Sequence, residues 1–156
     1  MLPSLLLPAL AAPQMIPLDV FEASGAAPID DFEIPRREGG TFALADHRGR
    51  PVVVTFWASW CGPCRLELPD LARWAGSHPE VEVLAVNIDR KRAAAETFLR
   101  QVAFDLPVAF DPDAVQLGRH GIESMPTMFL FDEQGALIWR HSGYSRAHGF
   151  ADLDAA

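Results

Sequence analysis

Cys61 and Cys64 are the only two cysteines of this 156-residue chain, and they stand in the run Trp60-Cys61-Gly62-Pro63-Cys64. Before them, Val52-Val53-Val54-Thr55-Phe56-Trp57 is apolar, β-branched and aromatic over a strand's length, and reads as a buried strand. After them, residues 65–74 read as an amphipathic helix. A dithiol where a strand hands over to a helix is a place for redox chemistry. The helix N-terminus carries partial positive charge and free N–H groups, which favour a thiolate. The thiolate is the attacking species in disulfide exchange.

The rest of the chain surrounds this junction with alternating strands and helices. Phe32-Glu33-Ile34 and Thr41-Phe42-Ala43-Leu44 read as short strands joined by a turn through Gly39-Gly40. Residues 46–51 read as a polar turn before the strand that delivers the cysteines. Beyond the helix, Val81-Glu82-Val83-Leu84-Ala85-Val86-Asn87-Ile88 reads as a second buried strand. A helix is expected over 91–102, capped by Asp89. A short extended piece at 106–110 and a short helix opened by Asp111-Pro112-Asp113 follow. Thr127-Met128-Phe129-Leu130-Phe131 and Ala136-Leu137-Ile138-Trp139-Arg140 read as a strand pair turned by Asp132-Glu133-Gln134-Gly135, and a weak helix is expected over 146–153. This order predicts an α/β fold with a central mixed sheet flanked by helices and a short N-terminal β-hairpin.

Composition removes several function classes. Acidic residues outnumber basic ones, and the formal net charge of -8 argues against nucleic acid as a partner. Two cysteines are too few for a disulfide scaffold and supply half a zinc site, which needs about four ligands. The five histidines, His47, His78, His120, His141 and His148, are scattered, and surface positions are expected for them. No metal and no cofactor is expected. Residues 1–24 are Pro- and Ala-rich, with Ala9-Leu10-Ala11 resembling a signal-peptidase site, but no Lys or Arg precedes the apolar run. They read as a signal-like leader or a disordered linker, with one domain over residues 25–156. The apolar run is too short to span a bilayer.

The order strand, WCGPC, helix, strand, helix, Pro-Thr strand and hairpin resembles the thioredoxin superfamily. Within it, the chain is similar to the TlpA/ResA/CcmG branch. The likeness rests on Phe56-Trp57-Ala58-Ser59-Trp60-Cys61-Gly62-Pro63-Cys64-Arg65-Leu66-Glu67-Leu68-Pro69 and on Met125-Pro126-Thr127-Met128-Phe129-Leu130-Phe131-Asp132, and it runs over residues 25–143. It departs from ordinary thioredoxins at Thr55, where those proteins carry a buried Asp.

The resemblance and the local chemistry assign roles. Cys61 is the candidate nucleophile and Cys64 the resolving thiol, one turn into the helix. Gly62 and Pro63 set the turn. Pro126 resembles the family's cis-proline, which would leave the backbone of Met125 free to pair with an extended substrate. Trp60 is a candidate surface contact and Trp57 a core residue. Glu67 lies three positions after Cys64, on the same helix face. The branch carries a functional acid there, so Glu67 is a candidate proton carrier for Cys64. A solvated residue paired with Arg65 is the alternative. Pro69 falls within the helix, where proline bends the backbone.

The resemblance implies a thiol–disulfide oxidoreductase outside the cytoplasm, reducing disulfides of exported proteins, with cytochrome c maturation as one setting. Its partners would be a disulfide-containing protein substrate and an upstream membrane thiol reductant, and a monomer is expected. A general cytosolic thioredoxin is the alternative enzyme. A redox-inactive or metal-carrying module on the same fold is the non-enzymatic one. A peroxidase would need a further cysteine.

Overall fold

The computed structural model describes residues 32–156; the expected leader lies outside the described residues. Two short strands, β1 (Glu33–Pro35) and β2 (Thr41–Ala43), pair antiparallel as the N-terminal hairpin. Gly39 and Gly40 take φ of 100° and 75° in its turn, a region where a side chain is strained. A 3-10 turn over Leu44–His47 occupies part of the expected polar turn and leads to β3 (Val52–Trp57). The remaining elements are α1 (Cys64–Ser77), β4 (Glu82–Asn87), α2 (Arg92–Gln101), β5 (Val108–Phe110), α3 (Val115–Arg119), β6 (Thr127–Phe131), β7 (Leu137–Ser142) and α4 (Ala151–Asp154). The five-stranded sheet has the order β5-β4-β3-β6-β7. β4 runs parallel to β3, β5 parallel to β4, and β6 and β7 each run antiparallel to their inner neighbour. This is the mixed sheet expected from the sequence.

All six residues of β3 are buried. Its side chains alternate between two cores, as strand geometry requires. Val52, Val54 and Phe56 pack with Phe32, Ile34 and Phe42 of the hairpin segment. Val53 packs with Leu71 of α1, and Trp57 with Phe98 of α2. Thr55 has the parity of Val53 and Trp57, so it faces α1. Each fully buried Phe or Leu contributes about 1.5–3 kcal/mol on transfer from water, and these two cores hold the cysteine-bearing loop.

Three expectations are corrected by the structure. Asp89 does not cap α2: its carboxylate accepts from the backbone N–H and hydroxyl of Ser59 and from Asn87 Nδ2, each at 2.8 Å. The C-terminal helix spans only Ala151–Asp154. His120 is buried rather than at the surface, packed against Phe32 and Phe129, with Nε2 3.0 Å from Gln116 Oε1. Gln116 Nε2 donates in turn to the carbonyl of Glu33, so His120 and Gln116 tie α3 to the hairpin. Asp111 does open α3 as expected, its carboxylate accepting from the N–H groups of Val115 and Gln116.

Burial pulls the His120 imidazole down from 6.5 to about 4, and the charges of Arg119 and Arg140 add to the effect. A depressed pKa means that the folded state holds the neutral ring. Its contribution is present above 6.5 and is lost as pH falls toward 4. The stability difference between wild type and His120→Gln, measured by urea unfolding, should therefore narrow between about pH 7 and pH 4. A constant difference across that range counts against this account.

Candidate active site

β3 delivers the chain to the loop Ala58–Pro63, and α1 begins at Cys64. The cysteine pair thus straddles the helix start, with Cys64 as the first helical residue rather than one turn in. Cys61 and Cys64 are joined by a disulfide, with Cα atoms 5.4 Å apart. Cys61 is 4% exposed and Cys64 0%, so the first sulfur is the more reachable. The loop is held by the N–H of Cys61 on the carbonyl of Ala58 at 3.1 Å. The N–H groups of Leu66 and Glu67 close on the carbonyl of Pro63 at 3.1 and 3.0 Å. The Cys64 N–H points at Cys61 Sγ at 3.2 Å. In the reduced protein that donor, with the helix dipole behind it, stabilises negative charge on Cys61.

Glu67 lies one turn beyond Cys64 and is 1% exposed. It is neither solvated nor paired with Arg65, whose guanidinium sits 4.7 Å over the Phe98 ring. Thr55 Oγ1 donates to Glu67 Oε1 within the buried layer between β3 and α1. Burial pushes the Glu67 carboxyl from 4.5 to about 7, and the Thr55 hydrogen bond offsets part of that rise. Near neutral pH this carboxyl both takes up and releases a proton. α1 continues through Pro69.

The Met125–Pro126 peptide is cis. Register places it at the active-site end of the sheet, since Thr127 pairs with Phe56. Met125 packs against the cluster that contains both cysteines. Gly62, Pro63 and Trp60 are exposed beside the disulfide, Trp60 at 69%, while Trp57 is fully buried. Two devices around the site were not foreseen in the sequence. The first is the clasp between Ser59 and Asp89, which ties the cysteine loop to the end of β4. The second is a strap after β7. The Gly143 N–H donates to the Pro126 carbonyl at 2.8 Å, and Tyr144 OH and Arg146 Nε donate to Asp70 Oδ2 of α1 at 2.6 and 3.0 Å. The strap binds the cis-proline loop to the helix that carries Cys64 and Glu67. An isolated Tyr or Asp gives no sequence signal for such a contact, although Asp89 directly after a buried strand was a visible candidate. Among the described residues no group of three or more His, Cys, Asp or Glu is arranged to hold a metal ion.

A five-stranded mixed sheet, a cysteine pair at the start of the first long helix and a cis-proline loop at the same end define a thioredoxin-fold protein with a redox-type cysteine pair. The chain belongs to the AhpC/TSA family, whose model matches residues 26–140, and within the thioredoxin superfamily it is ResA/CcmG-like. It is 32% identical over 110 residues to the thiol-disulfide oxidoreductase ResA of Bacillus thuringiensis, covering 69% of this chain and 64% of that one. It is 33% identical over 107 residues to ResA of Geobacillus thermodenitrificans, covering 67% and 62%. The match therefore spans less than two thirds of these relatives' length. A solved Chlorobium tepidum structure, provisionally named thiol:disulfide interchange protein DsbE, superposes with a TM-score of 0.76 at 36% identity, covering 83% of this chain and 92% of that one.

The Glu67 carboxyl is raised in the fold, so the protonated form is the one the fold accommodates. Its favourable contribution is complete below 4.5 and is lost as pH rises through about 7. Glu67→Gln keeps an acceptor for Thr55 and removes the charge. Above about pH 8 it should stabilise the oxidised protein by up to ~3 kcal/mol, and near pH 4 by little, as read by denaturant unfolding at both pH values. Equal effects at the two pH values would contradict a buried, titrating Glu67.

Proposed function

We propose that this chain is a thiol–disulfide oxidoreductase that reduces disulfides in proteins outside the cytoplasm. The observation that carries the reading is the gradient along one helical turn. Cys61 keeps a small exposure beside the exposed Trp60, Cys64 is sealed, and a buried carboxyl that titrates near neutrality lies next along the same face.

In the reduced protein the Cys61 thiolate attacks one sulfur of a substrate disulfide. A mixed disulfide forms on Cys61, and the other substrate sulfur leaves as a thiolate that takes up a proton. Glu67 then accepts the proton of Cys64, whose thiolate attacks Cys61 Sγ. The mixed disulfide breaks, the second substrate thiol is released, and Cys61 and Cys64 end as the disulfide seen here. Two electrons have passed to the substrate, and an upstream thiol reductant restores the dithiol. The exposed rim of Trp60, Gly62 and Pro63, with the Met125–Pro126 backbone opposite, is the surface on which an extended substrate segment would lie. The reaction uses no cofactor.

The extracytoplasmic setting, a membrane thiol carrier as the reductant and a monomeric state belong to this proposal. The extracytoplasmic setting is supported by the signal-like residues 1–24 and by the likeness to ResA. A Streptococcus pneumoniae relative at 30% identity, whose TM-score is 0.69, is described as an exposed lipoprotein thioredoxin. No helix among the described residues is long and apolar enough to cross a membrane. Residues 25–156 would form the catalytic domain.

Cys64→Ser should trap a covalent Cys61–substrate complex on a disulfide-bearing protein, visible by non-reducing electrophoresis, whereas Cys61→Ser should trap none. Glu67→Gln should slow resolution of the mixed disulfide on the order of tenfold or more near pH 7 and flatten its pH profile. An unchanged rate and profile would remove Glu67 from the mechanism. The reduction potential of the pair decides direction: a value near about -270 mV fits a reductant, and one near about -120 mV a disulfide-forming oxidant.

A further inference from the structure

The balance of charged side chains differs between the two ends of the sheet. β3, β4 and β5 run parallel, so their C-terminal ends lie together at the cysteine end of the sheet. The opposite end carries Glu80, Glu82, Asp132, Glu133 and Asp154, around the start of β4, the β6–β7 turn and α4, alongside Arg48 and Arg50, the latter paired with Glu82. At the cysteine end the exposed cations on the α1 and α2 side that stand outside ion pairs are Arg65, Arg90 and Lys91; Arg92 beside them pairs with Glu96. The Ser59–Asp89 clasp holds the loop leading to Arg90 and Lys91 against the loop that carries Cys61. Among the acids on this side, Glu67 and Asp89 are buried, and Glu96 is half-buried and paired with Arg37 and Arg92. Arg65 covers the Phe98 ring, and none of the three cations forms an ion pair within the described residues. The exposed acids at this end, Asp113 and Glu123, flank α3, which packs on the other face of the sheet.

Helix electrostatics does not explain these cations, although Arg65 also gains from its place over the Phe98 ring. Arg65 lies in the first turn of α1, and Lys91 and Arg92 open α2, whose first turn holds no acid. Helix dipoles disfavour cations at such positions. A chain of net charge -8 therefore gathers unpaired positive charge beside its cysteine pair, where helix chemistry would select against it.

We propose that Arg65, Arg90 and Lys91 form a cationic rim that recognises protein disulfides flanked by acidic residues. The inference rests on the oxidoreductase reading above and adds the charge of the substrate segment. The six-residue strand β3 separates the two ends by ~20 Å. Screening acts over ~10 Å at 0.1 M salt, so a segment docked at Cys61 feels the rim and little of the acidic end.

The test uses the full chain and three disulfide-bonded peptides that differ only in whether the flanking positions are Glu, Gln or Lys. The quantity read is the ratio of kcat/KM values between peptides, in which any change in thiol reactivity cancels. Near 0.1 M salt the Glu peptide should be reduced on the order of tenfold faster than the Lys peptide, and the ratio should approach one at ~1 M salt. The combined variant Arg65→Gln, Arg90→Gln, Lys91→Gln should bring the ratio toward one at the lower salt. Reduction of all three peptides at one rate, or a ratio unchanged in the variant, overturns the rim and leaves the oxidoreductase reading standing. Reduction of none of the peptides overturns both.

Discussion

The complete burial of β3 sets the position of every functional group. The strand is hydrogen-bonded on both edges, to β4 and to β6, and covered on both faces. Its side-chain period of two leaves one acceptable register, because a slip by one residue would exchange the hairpin face for the α1 face. That register aims Thr55 at α1 and Trp57 at α2, and it fixes where the backbone leaves the sheet to form the cysteine loop. The same pairing brings Thr127 level with Phe56, which puts Pro126 beside the disulfide without a local signal of its own.

Thr55 and Glu67 are best understood together. The thioredoxin pattern places its buried acid on the strand, at the position of Thr55. Here the strand supplies a hydroxyl and the helix supplies the acid. Two carboxyls in that layer would repel, and one would be forced to stay protonated. A hydroxyl instead orients the carboxyl and leaves burial as the main influence on its titration. The cost is a fold less stable when Glu67 is ionised, a local sacrifice of stability where the proposed mechanism moves a proton. His120 has the opposite response, losing its contribution on the acid side. The two buried groups therefore pull the stability profile in opposite directions between about pH 4 and 8.

The sheet, its mixed strand directions and the cysteine junction were legible because they rest on periodicity and on residues with one dominant conformational meaning. The run Val52-Val53-Val54-Thr55-Phe56-Trp57, the Gly39-Gly40 turn and the Asp132–Gly135 turn are such signals. The cis peptide at Pro126 was legible only through resemblance, since its local sequence reads equally as the start of an edge strand. What escaped was pairwise and long-range. Asp89 has the sequence signature of a helix cap, yet two donors of Ser59 compete for it across the loop and win. His120 carries no periodic signal, and its burial depends on Gln116 and on the aromatic rings of the hairpin segment and β6 meeting in space. The strap of Tyr144 on Asp70 joins residues 74 positions apart and follows from nothing local.

The electrostatics of the reduced site follow from the same placement. The Cys64 N–H and the start of α1 act on Cys61, not on Cys64, because the amide is aimed at the first sulfur. Cys64 sits deeper, and burial alone keeps a thiol protonated. The two sulfurs thus sit in different surroundings, Cys61 under an amide donor and Cys64 buried. A negative Glu67 adds to the difference, since it opposes a second negative charge on Cys64. In the reduced protein, negative charges on Cys61, Cys64 and Glu67 would oppose one another. In the proposed mechanism this opposition would hold Cys64 in reserve while Cys61 is free, because a thiolate on Cys61 already discourages one on Cys64. Once Cys61 is tied up in a mixed disulfide its charge is gone. The remaining obstacle to deprotonating Cys64 would then be its burial, and in the proposed mechanism the carboxyl one turn away along the buried face takes the proton.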